Sequence, residues 1–136
     1  MADKLDFVRH SGELEKKGRV RQNWKNRHFV LRAGTDQGAA GGTGELQWRD
    51  TAEGEAIGNV LVLGVFDVPD RGGRARANRF DLHCRNPELG EHYLALTAAS
   101  PSDKADWIRE LADVSKVLAL ADHPRAAEFD ASAAKE

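Results

Sequence analysis

"GELEKKGRVRQNWKNRHFVL", residues 12–31, alternates apolar and polar residues at one end, gathers charge in its middle, and alternates again at the other end. A period of two belongs to a strand, whose successive side chains point to opposite faces. The run "SGELEKK" alternates from Ser11 to Lys17, and "RHFVLRA" sets Arg27, Phe29 and Leu31 on one face. Six Lys or Arg side chains (16, 17, 19, 21, 25 and 27) precede Phe29 in a chain whose net charge is only -2. Exposed Lys and Arg are ordinary on any surface, so a solvated hairpin is one reading. An anion site is the sharper one.

The same period runs through most of the chain, broken by Gly, Pro, Asn and Asp every ten to fifteen residues, which is the pattern of an antiparallel sheet. "GELQWRD" carries Leu46 and Trp48. "GNVLVLGVFDV" is long enough for two strands joined at Gly64, and "NRFDLHC" and "EHYLALTA" follow. Six or seven strands are expected. After residue 99 the period changes. In "SPSDKADWIRELADVSKVLAL", Trp107, Leu111, Val114 and Leu118 recur at helical spacing, with Ile108 widening the stripe. Ser100 is the expected N-cap, Pro101 the first helical residue, and Asp103 an acid favourable to the helix dipole. This spacing predicts a helix ending near residue 119 and a frayed tail over 120–136, which Pro124 interrupts. A helix that comes last cannot be a crossover between parallel strands. Its apolar face must close something already built, with Trp107 the largest part of the plug.

A chain of 136 residues fits one domain, and 40% hydrophobic with 31% charged content is globular rather than disordered. No apolar run approaches the roughly 20 residues of a membrane span. "MADKLDFVRH" lacks the apolar core of a secretion signal, Ala2 stands where myristoylation needs Gly, and "SAAKE" is no prenylation box, so a cytoplasmic protein is expected. Charge is uneven. Residues 1–32 hold nine Lys or Arg against four acids, and the remainder eleven against eighteen, a polarity that can steer an anionic partner to one end.

Other constellations carry little chemistry. Cys84, the sole cysteine, reads as a small buried hydrophobe. Histidines 10, 28, 83, 92 and 123 lack metal-site spacing, no nucleophile has a partnered base, and neither metal, cofactor nor enzymatic activity is expected. "GAAGGTG" lacks the Lys of a phosphate-binding loop and reads as a turn between the second and third strands. "DRGGRARANR", residues 70–79, is rich in Arg but lacks aromatic residues to stack on bases; it reads as a solvated loop, with a second anion or single-stranded RNA the alternative ligand, Phe80 points to the core, and nucleic acid is not the expected partner.

The order "GELEKKG", "WKNRHFVL", "GELQW", "NRFDL", "HYLALTA" and a capped helix containing "DWIREL" resembles a pleckstrin-homology domain over residues 10–119, leaving 1–9 as an N-terminal extension. The resemblance implies a seven-stranded, two-sheet, partly open antiparallel barrel capped by one C-terminal helix bearing a characteristic Trp, here Trp107. It also implies a phosphoinositide site at the opposite end. The family's basic signature falls on Lys16, Gly18, Lys25, Arg27 and Phe29. Lys16, Lys25 and Arg27 are the implied primary ligands, supported by Arg19 and Arg21, with Trp48 where members often carry a phosphate-binding Tyr. Arg offers a bidentate fork to phosphate and Lys an adjustable point charge. The chain departs from the pattern at His28, where an aromatic or aliphatic residue is usual, and at Glu13 and Glu15, which set negative charge beside Lys16. The implied function is reversible binding of phosphoinositides or inositol phosphates at an anionic membrane, as an adaptor or recruiter in signalling. The alternative is a protein-interaction module on the same barrel, its basic hairpin incidental.

Overall fold

The computed structural model describes residues 7–18, 23–33, 44–69 and 77–124. The expected turn at "GAAGGTG", apart from Gly44, residues 70–76 of the Arg-rich loop and residues 125–136 of the tail lie outside them. The strands are β1 (Phe7–Lys17), β2 (Trp24–Ala33), β3 (Glu45–Arg49), β4 (Gly58–Asp67), β5 (Arg79–Asn86) and β6 (Gly90–Thr97), followed by helix α1 (Pro101–Asp113). All strand pairs are antiparallel and follow chain order, and the ladder closes where β6 meets β1. Closure rests on two residue pairs, Glu15 with Thr97 and Lys16 with Leu96.

Among the described residues the barrel closes through two residue pairs only, and there are six strands, within the six or seven expected and one fewer than the resemblance implied. The reason lies in β4. Its run does not break at Gly64; the register with β5 shifts between Val62 and Gly64, so one strand bends through a bulge. Residues Gly58–Leu61 pair with β3, while Gly64–Asp67 pair with β5 and have lost β3 as a neighbour. One bent strand thus serves both halves of the sheet.

Alternation fills the interior. Leu14, Phe29, Leu31, Leu46, Val60, Val62, Phe80, Leu82, Cys84, Leu94 and Leu96 form one core with Trp107, Leu111 and Val114 from the helix side. Phe80 is fully buried, as expected. The Cys84 thiol donates to the His92 carbonyl at 3.4 Å. Burial pushes it up from 9.0 to about 12, against a smaller opposing pull from Lys16.

The helix begins as expected: the Ser100 hydroxyl accepts from the Asp103 N–H at 3.0 Å, and Pro101 opens the first turn. It ends at Asp113, well short of 119. The Ser115 hydroxyl takes the Leu111 carbonyl at 2.6 Å, a local bond that competes with the helical ladder. The chain then runs along the exposed edge of β4, where the Val65 N–H donates to the Lys116 carbonyl at 2.9 Å and the Leu118 N–H donates to Val65 at 2.8 Å. Leaving the helix covers an edge that would otherwise stay unpaired. Leu118, expected on the helical stripe, instead lies on Gly64, where a Cβ would stand 2.4 Å from its Cδ1.

Two boundaries also move. β1 starts at Phe7, inside the expected extension, and its register shifts between Val8 and His10. Arg9 at that shift reaches α1, with 3.1 Å to Glu110 and a further pair to Asp113. The last helical turn has no basic residue of its own, so Arg9 supplies the cation its dipole favours. At the far end, residues 120–124 do not fray. Leu120–Asp122 form a 3-10 turn, and His123 is buried, its Nε2 2.8 Å from Asp81 and its ring 4.6 Å from that of Phe66.

Two outcomes follow from this packing. Trp107→Ala empties the joint between helix and barrel and lowers stability by about 3–5 kcal/mol in urea unfolding. Cys84 resists alkylation near neutral pH in the folded protein and reacts on unfolding. Because its folded value lies above the ordinary one, any contribution it makes to stability is intact below 9.0 and is lost as pH rises toward about 12.

Candidate functional site

The end of the barrel away from α1 is made by the joins of β1 to β2, β3 to β4 and β5 to β6. The first join narrows where the Gly18 N–H donates to the Asn23 carbonyl at 2.8 Å. The register then sets Gly12 opposite Phe29, Leu14 opposite Arg27, and Lys16 opposite Lys25. Residues two apart on a strand share a face, so the face that carries Leu14 and Phe29 in the core carries Lys16, Lys25 and Arg27 at the mouth. Glu13 and Glu15 fall on the other face. Glu13 accepts from the Asn26 amide at 2.9 Å and Glu15 from the Thr97 hydroxyl at 3.2 Å. The negative charge adjacent to Lys16 in sequence is therefore directed away from it by alternation.

A cavity of about 300 Å³ occupies this mouth, lined by Lys16, Gly18, Asn23, Lys25, Arg27, Trp48 and Ile57. Four of the six expected site residues, Lys16, Lys25, Arg27 and Trp48, are brought together there. Arg19 and Arg21 lie outside the described residues. Gly18, the small residue of the signature, lines the cavity as well.

Trp48 is fixed by its neighbours. It pairs in register with Gly58, and a Cβ on that glycine would stand 2.2 Å from the indole Cζ2, so the ring lies over bare backbone. Its other flank meets Phe29 at 5.7 Å between centroids. Lys16 Nζ sits 5.2 Å above the ring, a cation–π contact of about 0.5–1 kcal/mol at exposed sites. Arg27 donates to the Asn26 carbonyl at 3.0 Å and pairs with Asp50 at 3.3 Å.

Lys16 and Lys25 stand directly across from one another, and like charges so placed destabilise a sheet. Three cations around one cavity can match an anion of several charges, with Arg27 offering a planar fork. Sequence reasoning missed Asp50, Asn23 and Ile57. A carboxylate immediately after the third strand was a visible signal for the first, but which cation it meets depends on the register of His28 with Arg49. Elsewhere, Arg79 of the Arg-rich stretch is held by Asp81 at 2.8 and 2.9 Å. Among the described residues no cluster of three or more His, Cys, Asp or Glu stands together that could hold a metal, and no helix is long and apolar enough to cross a membrane.

A six-stranded antiparallel barrel plugged by a C-terminal helix at one end and basic at the other defines a class, and solved structures identify it. The C-terminal PH domain of pleckstrin in complex with D-myo-Ins(1,2,3,5,6)P5 matches with a TM-score of 0.60 at 26% identity, over 80% of this chain and 96% of that one. The ORP8 PH domain matches with a TM-score of 0.55 at 19% identity, over 80% and 97%. The Slm1 PH domain in complex with inositol-4-phosphate matches at 0.58 and 16%, over 81% and 98%. No protein-family model and no curated protein matches the sequence. The chain has the pleckstrin-homology fold.

Since Gly58 carries the Trp48 ring, Gly58→Ala displaces the indole. The expected result is a shifted Trp fluorescence spectrum together with loss of the Lys16 contact, read as a changed Lys16 Nζ environment by NMR.

Proposed function

We propose that this domain binds the phosphorylated head groups of phosphoinositides, or the corresponding inositol phosphates, through the mouth cavity, and so attaches reversibly to anionic membranes as a non-catalytic recruitment module. The observation that carries this reading is the opposed pair Lys16 and Lys25, aimed with Arg27 into one cavity of about 300 Å³. A sheet gains nothing from that pairing, and a local conflict of this kind marks a functional demand. Two of the structures it resembles hold inositol phosphates, which supports the same reading.

In this reading Arg27 takes one phosphate by its fork, and Lys16 and Lys25 neutralise others. The Trp48 indole N–H is a donor beside them. Arg19 and Arg21, in the same hairpin join, add attraction to the bilayer of about 1 kcal/mol each when close to its surface.

The test is co-sedimentation with liposomes carrying each phosphoinositide in turn at near-physiological salt. Wild type binds, soluble inositol polyphosphate competes, and the double variant Lys25→Ala/Arg27→Ala loses binding while its Tm stays nearly unchanged, since both residues lie at the mouth. Absence of wild-type binding to every head group removes the lipid reading and favours a protein-interaction barrel.

A further inference from the structure

The cavity is not left to its cations alone. Asp50, the first residue after β3, places Oδ1 3.3 Å from an Arg27 guanidinium nitrogen. The turn behind it is closed by the Gly54 N–H donating to the Thr51 carbonyl at 3.1 Å. The Asp50 side chain is 68% exposed and that of Arg27 24%, so the pair sits at the boundary between cavity and solvent.

We propose that Asp50 is an internal competitor for the anion site, and that by occupying Arg27 it selects phosphomonoesters over singly charged lipid groups. This rests on the head-group reading above. Asp50 meets Arg27 at one nitrogen, Nη1, so an anion that takes the whole fork competes with a carboxylate there. The carboxylate of phosphatidylserine, or the phosphodiester of any phospholipid, exchanges one negative charge for another and gains little. A phosphomonoester carries about -1.5 to -2 charges near neutral pH and three acceptor oxygens, so the same exchange leaves a net gain. It can also reach Lys16 or Lys25 while it holds the Arg27 fork. The turn that holds Asp50 also carries Glu53 and Glu55, both exposed. Their charge adds a general repulsion on that side of the mouth, weakened by salt because they are solvated.

The experiment compares wild type, Asp50→Asn and Glu53→Gln. Each is titrated calorimetrically with soluble inositol trisphosphate and sedimented with phosphatidylserine vesicles and with vesicles carrying a phosphoinositide. Glu53→Gln removes the same charge from the same turn and so reports the general field. Asp50→Asn is expected to tighten inositol trisphosphate by about two- to fivefold, the scale of one exposed ion pair. It is also expected to gain sedimentation with phosphatidylserine vesicles that wild type lacks, while Glu53→Gln produces a clearly smaller gain. Unchanged or weaker binding by Asp50→Asn, equal gains from both variants, or wild-type binding to phosphatidylserine as strong as to phosphoinositide overturns the proposal and leaves head-group binding standing. Failure of both wild type and Asp50→Asn to bind any inositol phosphate overturns both.

Discussion

A barrel has an inside, and whatever strand alternation directs inward must be either buried or wetted. That constraint organises this protein. In β1 and β2 the inward series runs from Leu31, Phe29 and Leu14, which are buried, to Arg27, Lys25 and Lys16, which cannot be. An ammonium or guanidinium group deprived of water and partners costs far more than a hairpin contributes. The apolar end must therefore be sealed and the basic end left open, and the polarity of the domain follows from one hairpin.

Sealing falls to α1, and the way it ends completes the fold. Trp107 and Leu111 enter the core from the helix. Had the helix continued, the outer limb of β4 past the bulge would have kept an unpaired edge. Instead residues 116–118 bond to Val65, and the chain proceeds across the sheet to bury His123 against Asp81, Phe66 and Tyr93. Arg79 donates to both oxygens of the same carboxylate, so Asp81, buried on the outward face, is matched by a guanidinium and an imidazole that share Oδ2. A helix that stops early thus covers both an open edge and a buried charge.

The legible part of this structure was the part encoded locally. Alternation located the strands, the Ser100–Pro101–Asp103 pattern located the helix start, and alternation set Arg27 on the face of Phe29, while its meeting with Lys16 and Lys25 was what the family resemblance implied. What escaped depended on contacts between distant segments. Whether "GNVLVLGVFDV" breaks or bends at Gly64 is settled by its register with β5, and whether residues 114–119 stay helical is settled by an edge fifty residues away in the chain. Propensity favoured continuing the helix, and the unpaired groups of Val65 outweighed it. His123 looked like tail for the same reason: its partner Asp81 is 42 positions earlier.

The mouth shows how a fold tolerates a site that opposes its own stability. Gathering Lys16, Lys25 and Arg27 at one mouth sets like charges close together, and two neighbours ease it. Trp48, held flat on Gly58, offers its ring face to Lys16, and Asp50 offers a carboxylate to Arg27. The two devices differ in what they ask of a ligand. A cation–π contact leaves the ammonium's remaining donors available, so an anion can join without displacing the ring. The Asp50 carboxylate meets one guanidinium nitrogen, so a phosphate that takes both arms of the fork competes with it there. The site is consequently soft on its Lys16 side and guarded on its Arg27 side. On the proposed head-group reading, the threshold for entry is then set by the ligand's charge at one position, rather than by the total charge of the surface it comes from.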